Sequence, residues 1–175
     1  MIRYGLHYGG ILGASSFAMF LVIYLTGNNP LGNISWIGAW IPIVIISIAV
    51  KSYRLHEGEG FISYGDGLKT GLATSFFGGL LSALLVFIFC TLFDSTLVDR
   101  FKEESLAQLE LMEGQFKSMI SESMYDQAVE AYNKIDLKSI AMNEFFNKLT
   151  SGLILSLIIA AIYKKNKPTQ NPDQA

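Results

Sequence analysis

"TGLATSFFGGLLSALLVFIFCTLF", Thr70–Phe93, runs for twenty-four residues without a charged side chain. A helix that crosses the hydrocarbon of a bilayer needs about 20 mostly apolar residues. A soluble core helix would keep a polar stripe for water. Here only Ser, Thr and Gly interrupt the apolar residues, all round the helix, so the stretch reads as a membrane span. Three further runs have the same character: Tyr4–Gly27, with the core "GGILGASSFAMFLVIYL"; Ile34–Val50, "ISWIGAWIPIVIISIAV"; and Leu149–Tyr163, "LTSGLILSLIIAAIY". The last is short, and reaches the required length if Phe145 and Phe146 join it and Lys148 snorkels to the interface. Four such runs in one chain predict an all-α membrane protein. The expected spans are about 4–27, 34–53, 66–93 and 143–163, with an extracytoplasmic amphipathic helical insertion over 94–142.

Composition agrees with a single membrane domain. Apolar residues make up 51% of the 175-residue chain and charged residues 16%, against about a quarter in an average soluble domain. Mean hydropathy is +0.37. The net charge of −2 gives no global basic field, so no nucleic-acid partner is expected. The single cysteine, Cys90, lies inside the third run. It cannot form an internal disulfide or a multi-thiolate metal site, and reads as a small packing residue.

Upstream, Arg3 supplies a minimal positive end, but "YLTGNNPLGN" offers no A-x-A-like cleavage site, so the first run is expected to be a retained span. Gly27, Asn28, Asn29, Pro30 and Gly32 form an uncharged turn. Trp36 and Trp40 follow at an interface-belt position. Asn33-Ile34-Ser35 matches a glycosylation acceptor by chance, at a helix start. Pro42 lies in the second run, where a membrane helix tolerates it, often with a kink.

Downstream, Asp94–Lys148 holds eleven of the fifteen acidic residues and six of the thirteen basic ones. Leu97, Phe101, Leu109, Met112, Phe116 and Met119 recur at mostly helical spacing, with Glu103, Glu104, Glu110 and Glu113 between them. Ser123 with Asp126 fits a capping box for a second helix carrying Met124, Ala128 or Val129, and Tyr132 on one face. These helices need cover from each other, from the interface or from another membrane or periplasmic protein. The tail after Tyr163 is polar and expected to be disordered, residues 168–175 above all.

Basic residues mark cytoplasmic ends. Lys51, Arg54 and Lys69 flank one loop, Lys164, Lys165 and Lys167 begin the tail, and Arg3 begins the first run. With four spans these fall on one side, which predicts that both termini are cytoplasmic.

The loop "KSYRLHEGEGFISYGDGLKTG", Lys51–Gly71, is rich in glycine. It is not a phosphate loop, because Asp66 follows Gly65 where a lysine is required, and Glu57 and Glu59 repel an anion. His56 lacks a partner histidine nearby in sequence, His7 being in the first span. A turn accounts for more: Lys51 and Arg54 at a helix C-terminus, Gly58 and Gly60 at a reversal, and Ser63 with Asp66 as a capping box. Small residues then recur every four positions: Gly67, Gly71, Ser75 and Gly79; Gly152, Ser156 and Ala160; Gly5, Gly9 and Gly13. This spacing lets membrane helices approach closely.

The same stretch, "YRLHEGEGFISYGDGLKTG", resembles the core of a membrane family known as domain of unknown function 4199, found mainly in Bacteroidota. The resemblance rests on Tyr53, Arg54, Gly60, Phe61, Ile62, Ser63, Gly65, Leu68, Lys69 and Gly71. Glu59 stands where a glycine is usual, and Tyr64 where phenylalanine is usual. The layout of spans, acidic insertion and lysine tail is also similar. The resemblance implies a multi-pass inner-membrane protein and carries no catalytic residue with it.

No recognised catalytic set appears: His7, His56 and Glu57 form no known constellation, so no enzyme activity and no cofactor are expected. With no charge inside any run, a pore lining would be limited to Ser15, Ser16, Thr74, Ser75, Ser82 and Ser156. The sequence therefore favours a structural or protein-interaction component of the bilayer, with homo-oligomers compatible, over a small transporter or channel subunit.

Overall fold

The computed structural model describes residues 1–115 and 122–167. Among these described residues are six helices: α1 (Ile2–Leu25), α2 (Trp40–His56), α3 (Tyr64–Leu92), α4 (Leu97–Gln115), α5 (Glu122–Asn133) and α6 (Leu137–Tyr163), with a 3-10 turn over Asn33–Gly38 before α2. Four helical stretches are long and apolar enough to cross a membrane: α1, the 3-10 turn continued by α2, α3 and α6. The described residues include no β-strand, only one isolated bridge.

Helix α3 is the axis of the bundle. It packs against α1, α2 and α6, and its small residues set how closely. On one face it runs parallel to α1: a Cβ added at Gly5 would lie 2.4 Å from Ala73 Cβ, one at Gly9 2.6 Å from Phe77 Cβ, and one at Gly13 2.7 Å from Leu81 Cβ. On the other face it runs antiparallel to α6. Gly67 meets Ala160, Gly71 meets Ser156, Gly152 meets Ser75, and Gly79 meets Lys148, each at the same helical register. Apolar burial cannot hold helices together in lipid, because the tails are as apolar as leucine; close van der Waals approach can. Ser75 and Ser156 sit in this seam fully buried, each donating its hydroxyl back to the carbonyl four residues earlier, on Gly71 and Gly152.

Pro42 does not fall in the helix interior, where it would kink α2. It is the third residue of α2, in the first turn, where a missing N–H costs no intrahelical bond.

The insertion begins as a cover. Leu97, Val98 and half-buried Phe101 of α4 pack with Phe20, Val86, Phe89 and Ile140 over the end of the bundle. Asp94 fixes the entry: it accepts from Tyr24 Oη at 3.0 Å, from Thr96 Oγ1 at 2.7 Å and from Arg100 Nη2 at 2.5 Å. The Thr96 hydroxyl first, then Tyr24 and Arg100, hold its carboxyl below the usual carboxylate range. Farther along, Leu109 is half-buried while Met112 is half exposed. Phe116 and Met119 lie outside the described residues. Ser123 is not a cap: α5 already begins at Glu122, and Ser123 accepts instead from Gln127 Nε2. The cap that forms is Asp136, whose carboxylate accepts from the Ser139 N–H at 2.8 Å and starts α6 at Leu137.

Candidate functional site

Two places concentrate polar groups, one at each end of the bundle.

At the loop end, the glycine-rich stretch is a clip. Helix α2 closes with the Gly58 and Gly60 N–H groups donating to Tyr53 and Arg54 carbonyls. A Cβ on Gly58 would lie 1.9 Å from the Phe61 carbonyl oxygen, so only glycine fits. Glu59 (φ +51°) and Gly60 (φ +88°) both adopt the left-handed conformation. A glycine at 59 would adopt it without strain. The chain then pairs with the end of α6: Ile62 and Lys165 exchange two backbone hydrogen bonds, of 2.9 and 3.0 Å. Arg54 donates to the Tyr163 carbonyl and lies over its ring, Lys165 lies over Phe61, and Lys167 pairs with Glu59 at 2.8 Å. Lys164–Lys167 are therefore ordered against the loop, while 168–175 lie outside the described residues. Ser63 caps α3, accepting from the Asp66 N–H. Ile62 is buried with Ile46, Val50 and Ile159, and Leu68 is half-buried. Nothing in the structure explains Gly65, where a Cβ would meet only Ser63 Oγ at 3.9 Å, or the exposed Lys69. Lys51, Lys164 and Lys165 are likewise exposed at this end.

At the opposite end lies a charged pair that the apolar runs concealed. Helix α6 starts at Leu137, so Glu144 and Lys148 are interior positions of a spanning helix. Both are turned toward α3: Ser82 Oγ donates to Glu144 Oε1 at 2.7 Å, and Lys148 Nζ lies 3.4 Å from the same oxygen. Lys148 does not snorkel outward; its side chain is 22% exposed, and its Cβ faces Gly79. Ser82 lies ~15 Å short of the end of α3 at 1.5 Å per residue. Beyond it α3 still presents Leu92 and Phe93 outward, 74% and 75% exposed. The pair thus sits within the apolar depth of the bundle.

Three cavities meet at Glu144. One of about 330 Å³ is roofed by the insertion through Phe101, Tyr132 and Ile135, and continues along Asn143 and Asn147. A second, of about 340 Å³, opens between the 3-10 turn and α6, past Ser35, Trp36, Asn147 and Ser151. Between them a void of about 60 Å³ is bounded by Ser16, Ser35, Glu144 and Lys148. It exceeds the minimum that holds a water molecule. Ser16 is 9% exposed and its Oγ has no hydrogen-bond partner. Glu144 lines all three cavities, and its contacts with Ser82 and Lys148 both fall on Oε1. Of the pore-lining candidates, Ser16 and Ser82 belong to this cluster; Ser75 and Ser156 are consumed by helix packing, and Thr74 donates to the Thr70 carbonyl. Among the described residues no group of three or more His, Cys, Asp or Glu could hold a metal ion.

A bundle of apolar helices locked by small residues, with one clipped loop end and one covered polar end, defines a multi-pass helical membrane protein. The chain belongs to the family described as "Protein of unknown function (DUF4199)", whose model matches residues 7–165. No curated protein and no solved structure matches it.

Proposed function

We propose that the protein is a small transporter or channel subunit of the bacterial inner membrane, and that the cavities at Glu144 receive a small solute bearing a positive or hydrogen-bond-donating group. The observation that carries this reading is the Glu144–Lys148 pair inside the helix bundle. Ionisable side chains within spans are costly and mark ion or substrate paths more often than packing. The sequence ranks a structural role higher only because its apolar runs exclude both residues. Lys148 keeps the pair neutral at rest, and Glu144 Oε2 is the acceptor for an incoming ammonium or cation. No catalytic step enters this reading. The basic residues at the clipped end favour cytoplasmic termini, which makes the insertion and the cavity mouths extracytoplasmic. Reporters fused after Gln170 and inserted near Glu113 should be active only as cytoplasmic and extracytoplasmic fusions, respectively. Thermal shifts of the purified protein with monovalent cations, primary amines and amino acids test the site. The parent should respond to at least one class and Glu144→Gln to none. A parent insensitive to all three, or a variant that responds like the parent, overturns the proposal.

A docking role for the insertion is the second reading. Leu111 and Met112 are 67% and 50% exposed. Reversal of Glu103, Glu110 and Glu113 should then weaken capture of a partner in crosslinking pull-downs from membranes while leaving the fold intact. Identical partner sets would refute it.

A further inference from the structure

The two histidines that are far apart in sequence, His7 and His56, line one groove. It lies between the start of α1 and the end of α2, at the clipped end of the bundle, with a volume of about 440 Å³. Arg3, Tyr4, Ser52 and Glu57 complete its walls, with Tyr8 behind them. Arg3 and His7 are one helical turn apart, so α1 contributes a positive wall. The acid comes from the other helix, as Glu57 at the C-terminus of α2. His56 Nδ1 lies 2.9 Å from the Ser52 carbonyl oxygen, which makes it a donor there and makes Nε2 the acceptor of the neutral ring. The lining therefore holds one permanent positive charge, one negative charge and two imidazoles. A purely anionic ligand would meet Glu57; a purely cationic one would meet Arg3.

We infer that this groove binds a phosphate ester that also carries a primary ammonium: the phosphoethanolamine headgroup of a membrane lipid, with its phosphate at Arg3 and His7 and its ammonium between Glu57 and the His56 ring. Three observations point to the lipid rather than a free solute. The groove lies where spanning helices end, and pockets between the ends of such helices are a recurring site for lipid headgroups. Tyr4 and Tyr8 stack at 6.4 Å, with His7 edge-on to Tyr8, giving the amphipathic ring surface typical of that depth. Leu6 and Leu55, each adjacent in sequence to a groove histidine, are 59% and 52% exposed and offer apolar surface to an acyl chain. A quaternary ammonium has no N–H for the Glu57 carboxylate, so phosphocholine should be discriminated against.

Native mass spectrometry of the detergent-purified full chain, supplied with phosphatidylethanolamine, phosphatidylglycerol or phosphatidylcholine of the same acyl chains, tests this. Phosphatidylethanolamine should be retained at least about fivefold over the other two. Glu57→Gln should bring it down to the phosphatidylcholine level, and Arg3→Ala should lower retention of all three. Both residues are exposed, so each variant should melt like the parent. Soluble phosphoethanolamine that stabilises the lipid-free protein at millimolar concentration would assign the same chemistry to a free solute; a lack of shift with the lipid preference intact supports the lipid. Equal retention of the three lipids, preference for phosphatidylglycerol, or variants that bind as the parent does would overturn the inference.

Discussion

Gly152→Ala adds one methyl group at the point where α6 crosses α3. Its Cβ would lie 2.0 Å from Ser75 Oγ and 2.3 Å from Ser75 Cβ. Carbon atoms in contact prefer about 3.5–4.0 Å, so the helices must part by more than an ångström locally; a new Ser75 rotamer would move Oγ but leave Cβ in place. Parting is not easy: Ser75 is fully buried and bonded to the Gly71 carbonyl, and Gly71 is itself pressed against Ser156 one turn away. Overpacking of this kind costs about 1–3 kcal/mol. Gly152→Leu should cost more, since no rotamer avoids α3. Thermal melting in mild detergent reads the loss. Two companions make the test specific. Ser75→Gly in the Gly152→Ala background removes the colliding atoms and should recover most of the loss, as coupled neighbours do. Gly10→Ala is the control, because a Cβ there meets nothing within 4 Å; it should melt at or slightly above the parent, alanine being about 1 kcal/mol the better helix former. A Gly152→Ala protein that melts with the parent, or a double variant no better than Gly152→Ala, would refute the seam between α3 and α6.

Other consequences follow from the two ends. Gly58→Ala should break the clip by driving a Cβ into the Phe61 carbonyl; limited proteolysis should then cut near Lys164 and Lys165 faster than in the parent. Glu59→Gly should be neutral to slightly stabilising in thermal melts, since relief of about 1 kcal/mol of left-handed strain offsets the loss of an ion pair that water screens on both sides. Asp94, with its carboxyl held below the usual range, stabilises the docking of α4 above its unfolded pKa of about 3.9 and loses that contribution as pH falls through the lower folded value. Protection of the α4 amides, taken as exchange relative to the intrinsic rate at each pH, should therefore fall below about pH 4 in the parent, and in Asp94→Asn it should be low and independent of pH across that window.

The four apolar stretches, the stripes of small residues and the Ser63 cap are legible because each depends on local chemistry: uninterrupted apolarity, spacing of four, and a side chain three residues from its amide. The Glu144 site was hidden by the same logic. A run scored by absence of charge stops at Leu149; the expected span of 143–163 takes in Glu144 and Lys148, but it reads Lys148 as snorkelling to the interface and gives Glu144 no role. Two signals were available: Asp136 with Ser139 three residues on is a helix start, and Glu144 with Lys148 is an i,i+4 pair on the face that continues Gly152 and Ser156. The meeting of His7 with His56 depends on the parallel register of α1 with α3 and the return of α2, which no local pattern encodes. The clip was half visible: Gly58 and Gly60 mark a reversal, but the strand-like pairing of Ile62 with Lys165 joins residues a hundred positions apart. The Ser123 cap failed because a Ser-x-x-Asp pattern also fits inside a helix, where Ser123 accepts from Gln127.

The claim that most needs testing is that water-accessible polar space reaches into the bundle beside Glu144. Asn147→Cys, in a Cys90→Ala background, places a thiol on the wall of the two larger cavities without removing the Glu144–Lys148 pair. Ile154→Cys places one two turns farther along α6, where the native side chain is 55% exposed on the apolar exterior. A thiol reacts as thiolate, which forms in water and not in hydrocarbon. In sealed vesicles a membrane-impermeant methanethiosulfonate should modify Asn147→Cys at least tenfold faster than Ile154→Cys, and from the insertion side only. Equal and negligible rates at the two positions would show that the cavities are closed to water, and would contradict the account of Glu144 as a solute site.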